Sequence, residues 1–386
     1  MKALNRRSFL RHSILASGAL AAIPSLSRFN VAHEEKIPPT ITRTLGRTGI
    51  ALPVVSNSVE RSSEALVTEA LKSGVVYFDT AHTYVNGKNE EMLGIVLKDY
   101  PRSSVVVSTK VLGSESKESF LADLDVSLKR LQMKSVDILY LHSRESRDSA
   151  LSKPMLEALL EAKNSGRTRF LGVSTHHNEP EVIRAAIEAR IYDVVMTSYN
   201  YRQDHAREVA NAITEAGKAG LGIVAMKTMA GAFLDKERTR PVNCKAALKW
   251  VLQHDWVTTC IPSVSTFDQL EENLSVNRNT ILTEEEKEAL LACSGRGGGL
   301  YCDGCGRCQD ACPHSLPVYD FMRAYMYTYG YGSPRAGREL VRTLRGTPDM
   351  CEGCSACVGV CRKKFDIKER MADVVRLREV PEGFLV

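Results

Sequence analysis

VVYFDTAHTYVNGKNEEMLG, residues 75–94, sets a short apolar run against an abrupt polar end. Val75, Val76, Tyr77 and Phe78 are residue types that fill a buried strand. Asp79 closes the run, and a polar loop carrying Tyr84 follows. A strand without polar alternation belongs in a parallel sheet covered by helices on its outer face. A polar residue at the exit of such a strand lies where the loops of an α/β fold gather their functional groups.

The same pattern recurs on both sides. Further strand candidates are ALPVVSN from Ala51, SVVVSTK from Ser104, VDILYLH from Val136, RFLGVST from Arg169, DVVMTSYN from Asp193, GIVAMKT from Gly222 and TTCIPSV from Thr258. Between them run helical patterns such as LVTEALKSG, SFLADLDVSLKRL, PMLEALLEAKNSG and VIRAAIEA. Several begin at Pro or a polar cap and stop at Gly. Eight strand–helix units over about 250 residues predict an α/β fold of the (β/α)8 TIM-barrel type, placed over residues 40–292. A doubly wound sheet is the alternative, but no G-x-G-x-x-G follows the first strand. Two more strands end as the second does: Lys110 closes VSTK and His142 closes LYLH.

Singly, an Asp or Lys at a strand end reads as a structural ion pair, a His as a satisfied side chain and a Tyr as packing. As a set, Asp79, Tyr84, Lys110 and His142 resemble, in order and on consecutive strands, the catalytic residues of the aldo-keto reductases. The resemblance implies an oxidoreductase acting on a small-molecule carbonyl or alcohol. Tyr84 would supply the proton to the carbonyl oxygen. Lys110 would favour its phenolate by roughly one to three pH units, Asp79 would offset the desolvation of Lys110, and His142 would hydrogen-bond the carbonyl oxygen.

A nicotinamide cofactor, NADP(H) or NAD(H), is implied as well. GVSTHH resembles the stretch that binds the carboxamide: Ser174 matches, while Thr175 replaces Asn. In SYN, Tyr199 and Asn200 match, while Met196 replaces Gln. In IPSVSTFDQLEEN, Gln269 and Asn273 match the adenosine end. The departures share a direction. The first strand ends in SNSVE without the usual glycines, and no basic residue lies between Pro262 and Asn277. Losing one charge-assisted contact typically costs about 2 kcal/mol. His176 and His177 suggest a metal, but adjacent residues rarely share one ion.

Of the 11 cysteines none precedes Cys244. Eight form two runs, Cys302, Cys305, Cys308, Cys312 and Cys351, Cys354, Cys357, Cys361, each with the C-x2-C-x2-C-x3-C spacing of bacterial ferredoxins. Arg362 stands where Pro commonly follows the second run. The resemblance implies two [4Fe–4S] clusters in a largely helical ferredoxin-like domain over 293–386. One cluster would take Cys302, Cys305, Cys308 and Cys361, and the other Cys351, Cys354, Cys357 and Cys312. Zinc usually comes as C-x2-C pairs, and disulfides between cysteines so close are strained. Cys244, Cys260 and Cys293 read as buried structural thiols. Val318–Arg345 reads as a helical linker packing over the clusters, its tyrosines either core or an electron path.

NRRSFLR, Asn5–Arg11, precedes an apolar run over Ser13–Leu26 that is short for a membrane span. The formal charge of +5 resides in residues 1–33, which hold five basic residues and no acid, so the rest is formally neutral. Nothing points to nucleic acid. The leader resembles a twin-arginine signal, with Asn5 and Arg11 departing from the usual residues; an ordinary secretory leader or an uncleaved anchor is the alternative. No Cys follows the apolar run, which argues against a lipoprotein. The resemblance implies export of a folded protein by the twin-arginine translocase to the periplasm, consistent with clusters assembled beforehand. Three readings follow: an exported oxidoreductase wired through its clusters to a membrane or periplasmic partner; an ordinary NAD(P)H-dependent reductase with structural clusters; and an electron carrier using the barrel as scaffold.

Overall fold

In the computed structural model, residues 39–385 are described apart from 114–115, 294–298, 347–350 and 352–353. The expected leader lies outside the described residues. Among the described residues there are ten strands: β1 Thr42–Thr44, β2 Ala51–Pro53, β3 Asn57–Ser58, β4 Tyr77–Asp79, β5 Val106–Val111, β6 Val136–Leu141, β7 Thr168–Thr175, β8 Val194–Ser198, β9 Gly222–Met226 and β10 Val257–Cys260.

Strands β3 to β10 pair in sequence order, every neighbour parallel. The ring closes between its ends: Cys260 N–H donates to Val54 at 2.8 Å, and Ser56 N–H to Cys260 at 2.8 Å. Closure leaves no exposed sheet edge. The (β/α)8 barrel is therefore present. One strand differs from expectation. ALPVVSN is divided, with Ala51–Pro53 pairing antiparallel to β1 and only Asn57–Ser58 joining the barrel. The reason is the N-terminal hairpin, whose Leu45 and Leu52 are fully buried against Val194, Val224 and Ile138 inside the barrel.

Strand alternation sorts the side chains into two cores. Tyr77, Ile138, Tyr140, Met196 and Ile261 fill the barrel, and a larger outer core joins the strands to the helices. The expected helical patterns form Glu64–Lys72, Lys117–Leu131, Lys153–Asn164 and Glu179–Ala189. Ser63 and Ser116 cap the first two by accepting from Leu66 N–H and Ser119 N–H.

The linker is helical as expected: Val318–Tyr325, a π-turn over Met326–Gly330, and Pro334–Thr343. With helix Ile367–Val375 it builds a third core of Val318, Phe321, Met322, Ile367 and Met371, against which Cys302, Cys308, Cys312, Cys351, Cys357 and Cys361 pack. Among the described residues no helix is long and apolar enough to cross a membrane.

Gly172 on β7 tests the packing of the barrel interior. A Cβ there would lie 2.3 Å from the Tyr140 ring. Gly172→Ala is expected to destabilise the protein by about 1–3 kcal/mol. A lowered midpoint in anaerobic thermal unfolding checks it; an unchanged midpoint contradicts it.

Candidate active site

Asp79 and Lys110 leave adjacent strands, β4 and β5, and both point into the barrel. Lys110 Nζ donates to Asp79 Oδ2 at 2.6 Å and to the Thr80 carbonyl at 2.6 Å. Ser108 donates to the other carboxylate oxygen at 2.6 Å, and Tyr77 and Tyr140 extend this network below the pair. Each side chain of the pair is 1% exposed. A charge so buried persists only when paired and hydrogen-bonded.

Tyr84 follows β4 in a tight turn. Lys110 Nζ lies 3.3 Å from its hydroxyl and 4.5 Å from its ring centre. The next residues, Val85, Asn86 and Gly87, are all left-handed, with φ of 51°, 54° and 84°. The helix beyond is tied down. Asn89 accepts from Thr80 and donates to Val59, and buried Glu90 accepts from Thr109 and Arg130. The His142 ring stands edge-on to Tyr84, centres 6.2 Å apart at 82°. Asp79, Tyr84, Lys110 and His142 are thus brought together at one mouth of the barrel.

The electrostatics differ from the expectation for Tyr84. Its phenol is held well above the ordinary value, first by burial and then by Glu60 and Asp79. Proximity to Lys110 does not reverse this direction. Burial likewise pushes the Asp79 carboxyl up against the pull of Lys110. Burial, then Lys110 and Arg144, push His142 well down, so its imidazole is neutral. His142 Nδ1 has no hydrogen-bond partner. A neutral imidazole and a protonated phenol this close together suit a substrate oxygen.

The four residues assigned to a nicotinamide nucleotide are scattered. Ser174 points inward at the end of β7 and accepts from Ser143 N–H at 2.9 Å. Tyr199 falls on the opposite parity from Met196 and packs outside the barrel, its ring 5.1 Å from Trp250 and 5.9 Å from His254. Gln269 turns its carbonyl onto Ser265 at the surface, and Asn273 is buried on the same helix. Asn200 reaches the cap instead, donating to Tyr301 at 2.9 Å.

That cap is the C-terminal region. Lys227, just beyond β9, donates to Tyr327 at 3.1 Å. Arg61 donates to the carbonyls of Tyr331 and Gly332. Ala232 N–H donates to Gly330 at 3.0 Å, and a Cβ on Gly231 would lie 2.9 Å from the same carbonyl oxygen. The ring of His177 lies 4.7 Å from Tyr319. One cavity is lined jointly by barrel residues His176, Ser198 and Lys227 and by Tyr301, Cys302 and Arg323 of the cap. Space in which the nicotinamide end would be expected is therefore shared with the cap, and the fit to that cofactor is incomplete. Ser198 and Lys227 escaped the sequence reading and His176 was weighed only as a metal ligand, although the alternation that places Ser174 and Met196 inward also places His176 and Ser198 inward. The partnership of Lys227 with Tyr327 joins residues 100 positions apart, and no local signal carries it.

The cysteines ring two cavities. Cys302, Cys305, Cys308 and Cys361 line one, and Cys312, Cys351, Cys354 and Cys357 line the other. The last cysteine of each run thus joins the other run's set. Among the described residues no group of three metal-ligating side chains converges on a single ion. Thiols spread around a cavity suit a polynuclear cluster better than zinc, which draws its ligands to about 2.3 Å of one point. Burial pushes Cys302 and Cys308 up to about 12, and neighbouring cysteines add to this. Buried thiols crowded in this way become thiolates only beside strong positive charge, which iron supplies. Cys244 is pushed up to about 12 by burial and Cys260 higher, as expected of structural thiols.

A model of the aldo/keto reductase family matches residues 49–247. The chain belongs to the aldo/keto reductase family. A 4Fe-4S dicluster domain model matches residues 301–367, so this reductase carries a ferredoxin-type iron–sulfur region. L-galactose dehydrogenase of Arabidopsis thaliana is 27% identical over 281 residues, covering 60% of this chain and 86% of its own. L-glyceraldehyde 3-phosphate reductase of Escherichia coli (strain K12) is 25% identical over 328 residues, covering 66% and 93%. The holo form of an aldo-keto reductase from Bacillus halodurans shares the fold, with a TM-score of 0.56 at 24% identity over 67% of this chain and 97% of that one. Relatives named as dehydrogenases and reductases agree with an oxidoreductase.

The ion pair at the centre of this reductase has a testable signature. Asp79→Asn leaves a buried ammonium without its counter-charge and is expected to cost about 3–5 kcal/mol. Asp79→Asn combined with Lys110→Met removes both charges and is expected to recover much of that loss. Thermal unfolding of the two variants checks this; a double variant as unstable as the single one contradicts it.

Proposed function

We propose that this protein is an exported carbonyl/alcohol oxidoreductase whose electrons travel through two [4Fe–4S] clusters. The signal would occupy residues 1–33, the catalytic barrel 40–292 and the cluster domain 293–386. The observation that carries the reading is Cys302, which lines both the first thiol cavity and the cavity at the barrel mouth. A cluster held there would share a wall with the cavity that barrel residues His176, Ser198 and Lys227 line.

Within the mouth, Tyr84 donates a proton to the substrate oxygen and Lys110 stabilises the phenolate left behind. Asp79 holds Lys110 in place. Neutral His142 orients the oxygen through its free ring nitrogen. Cys302, Cys305, Cys308 and Cys361 would hold one cluster, and Cys312, Cys351, Cys354 and Cys357 the other. Bound there, the clusters would supply electrons one at a time between the mouth and an outer partner, two for each carbonyl–alcohol conversion. The second set lies beside the exposed loop carrying Val358 and Val360, where a periplasmic or membrane electron partner has access. The substrate class is a small carbonyl or alcohol, as the dehydrogenase and reductase relatives suggest. Export by the twin-arginine pathway accords with the arginine pair in the leader and with clusters inserted before transport.

A nicotinamide-dependent reductase with structural clusters is favoured by one observation, the inward position of Ser174. Anaerobic purification with iron, sulfide and bound nucleotide measured together separates the two. Reducible clusters without exchangeable nucleotide support the wired enzyme. Tight binding of added NADPH with inert clusters supports the ordinary reductase.

The crossed thiol sets give a sharper expectation. Cys361→Ala should abolish the cluster of the first run, and Cys312→Ala that of the second. Each variant should keep about half of the iron, since each cysteine serves one cluster. Iron analysis with electron paramagnetic resonance after reduction checks this. A Cys361→Ala protein that loses the same cluster signal as Cys354→Ala contradicts the crossing.

A further inference from the structure

The cavity ringed by Cys302, Cys305, Cys308 and Cys361 has Phe365 in its wall. Phe365 is buried, and its N–H donates to the Cys361 sulfur at 3.5 Å. The guanidinium of Arg370 lies over the Phe365 ring, 3.6 Å from its centre, and over the buried Tyr325 ring at 4.6 Å. Its Nη2 donates to the Gly299 carbonyl at 2.8 Å, three residues before Cys302. Asp366 caps the helix that carries Arg370, accepting from Glu369 N–H at 2.9 Å, and its carbonyl accepts from Arg370 N–H at 3.1 Å. Arg370 thus ties the segment before the first cysteine run to the segment after the second. Other cations at this cavity are spent or screened. Lys363 lines it, but its ammonium meets Asp204 at 2.9 Å and Asp303 at 3.1 Å. Arg362 lines it as an exposed residue, where salt screens a charge. Among the described residues Arg370 forms no ion pair with a carboxylate; its side chain meets that carbonyl and the two rings. Cys302 and Cys361 are among the groups that act on it.

An iron–sulfur cube held by four thiolates carries net negative charge, and reduction adds one more. A cation kept beside the ligands, and a hydrogen bond to one of their sulfurs, stabilise the reduced form and so raise the reduction potential. We infer that Arg370 is the positioning residue that holds up the potential of the cluster bound by Cys302, Cys305, Cys308 and Cys361. It does so through its own charge and through Phe365, whose ring it clamps and whose N–H meets the Cys361 sulfur. Arg370 acts on the cluster without being one of its ligands. The step it governs moves one electron into the cluster from a reductant, dithionite in the test below; no bond is made or broken. Because Cys302 also lines the cavity at the barrel mouth, this potential governs how readily electrons pass between cluster and barrel. The inference rests on the reading of the two thiol sets as cluster sites.

The test uses the full-length holoprotein, purified without oxygen, and needs no substrate. It is titrated with dithionite through redox mediators while electron paramagnetic resonance follows each cluster. Arg370→Gln is expected to make reduction of one cluster at least tenfold less favourable, about 59 mV for one electron, and to leave the other where it was. The same displacement is expected in a Cys312→Ala background, which keeps the first cluster, and none in Cys361→Ala, which keeps the second. Arg370→Lys retains a cation and should recover most of the lost potential. The displacement should persist at high ionic strength, because screening by salt acts mainly on exposed charges. Where Arg370→Gln loses iron, Arg370→Met, with an apolar stem and no charge, is titrated in its place. The inference is overturned when loss of the charge moves neither potential, moves both alike, or has an effect that disappears in high salt. An Arg370→Lys potential as low as that of Arg370→Gln overturns it as well. Failure of the cluster reading would show separately, as wild-type protein lacking iron.

Discussion

A buried ammonium needs an opposite charge, and the site at the mouth of this barrel is organised around that requirement. Lys110 meets Asp79 at 2.6 Å with both side chains closed off from water. An unpaired charge there would cost several kcal/mol. The pairing therefore constrains the register of β4 against β5, in which Asp79 lies opposite Ser108, and so the height at which the polypeptide leaves the barrel. Tyr84 and the left-handed turn after it begin from that point. The ring of aligned strand ends then brings His142, Ser174, His176, Ser198 and Lys227 around the same opening.

The second constraint is the cover. In a bare barrel, loops after the strands would face water. Here the C-terminal region lies over that face, joined by hydrogen bonds from Arg61, Asn200, Lys227 and Ala232 to its residues between Tyr301 and Gly332. Met326–Gly330 is a π-turn, a departure from regular helix often found at functional sites. It carries Tyr327 onto Lys227. The cover lowers the local dielectric, which explains why burial leads every influence on the phenol and imidazole at the mouth. It also places Cys302 at the same cavity as barrel residues, so the iron–sulfur region and the reductase share a wall.

Much of the architecture was legible beforehand, because strand periodicity and cysteine spacing are local properties. Eight strand segments, three polar strand ends and two cysteine runs can be read without any long-range contact. The first strand was misjudged because ALPVV is uniformly apolar, and only the packing of Leu45 and Leu52 into the barrel floor shows that its first half belongs to a hairpin. Tyr199 shows the opposite limit. Its motif matched, but side-chain parity after β8 turns the ring outward onto Trp250. The raised Tyr84 phenol was hidden for a third reason: burial and nearby carboxyl groups set it, and a list of residue types does not show how these combine.

From residue order alone, the chain's chemistry was determined: a carboxylate, a phenol, an ammonium and an imidazole at successive strand ends, and eight thiols in two spaced runs. Strand and ligand spacings are set within a few residues, so they are visible there. Only the tertiary structure decided that the cap shares a cavity with the barrel mouth and that Lys227 meets Tyr327 across it. Each of these depends on distances between residues far apart in the chain, which packing and burial set and no local pattern encodes.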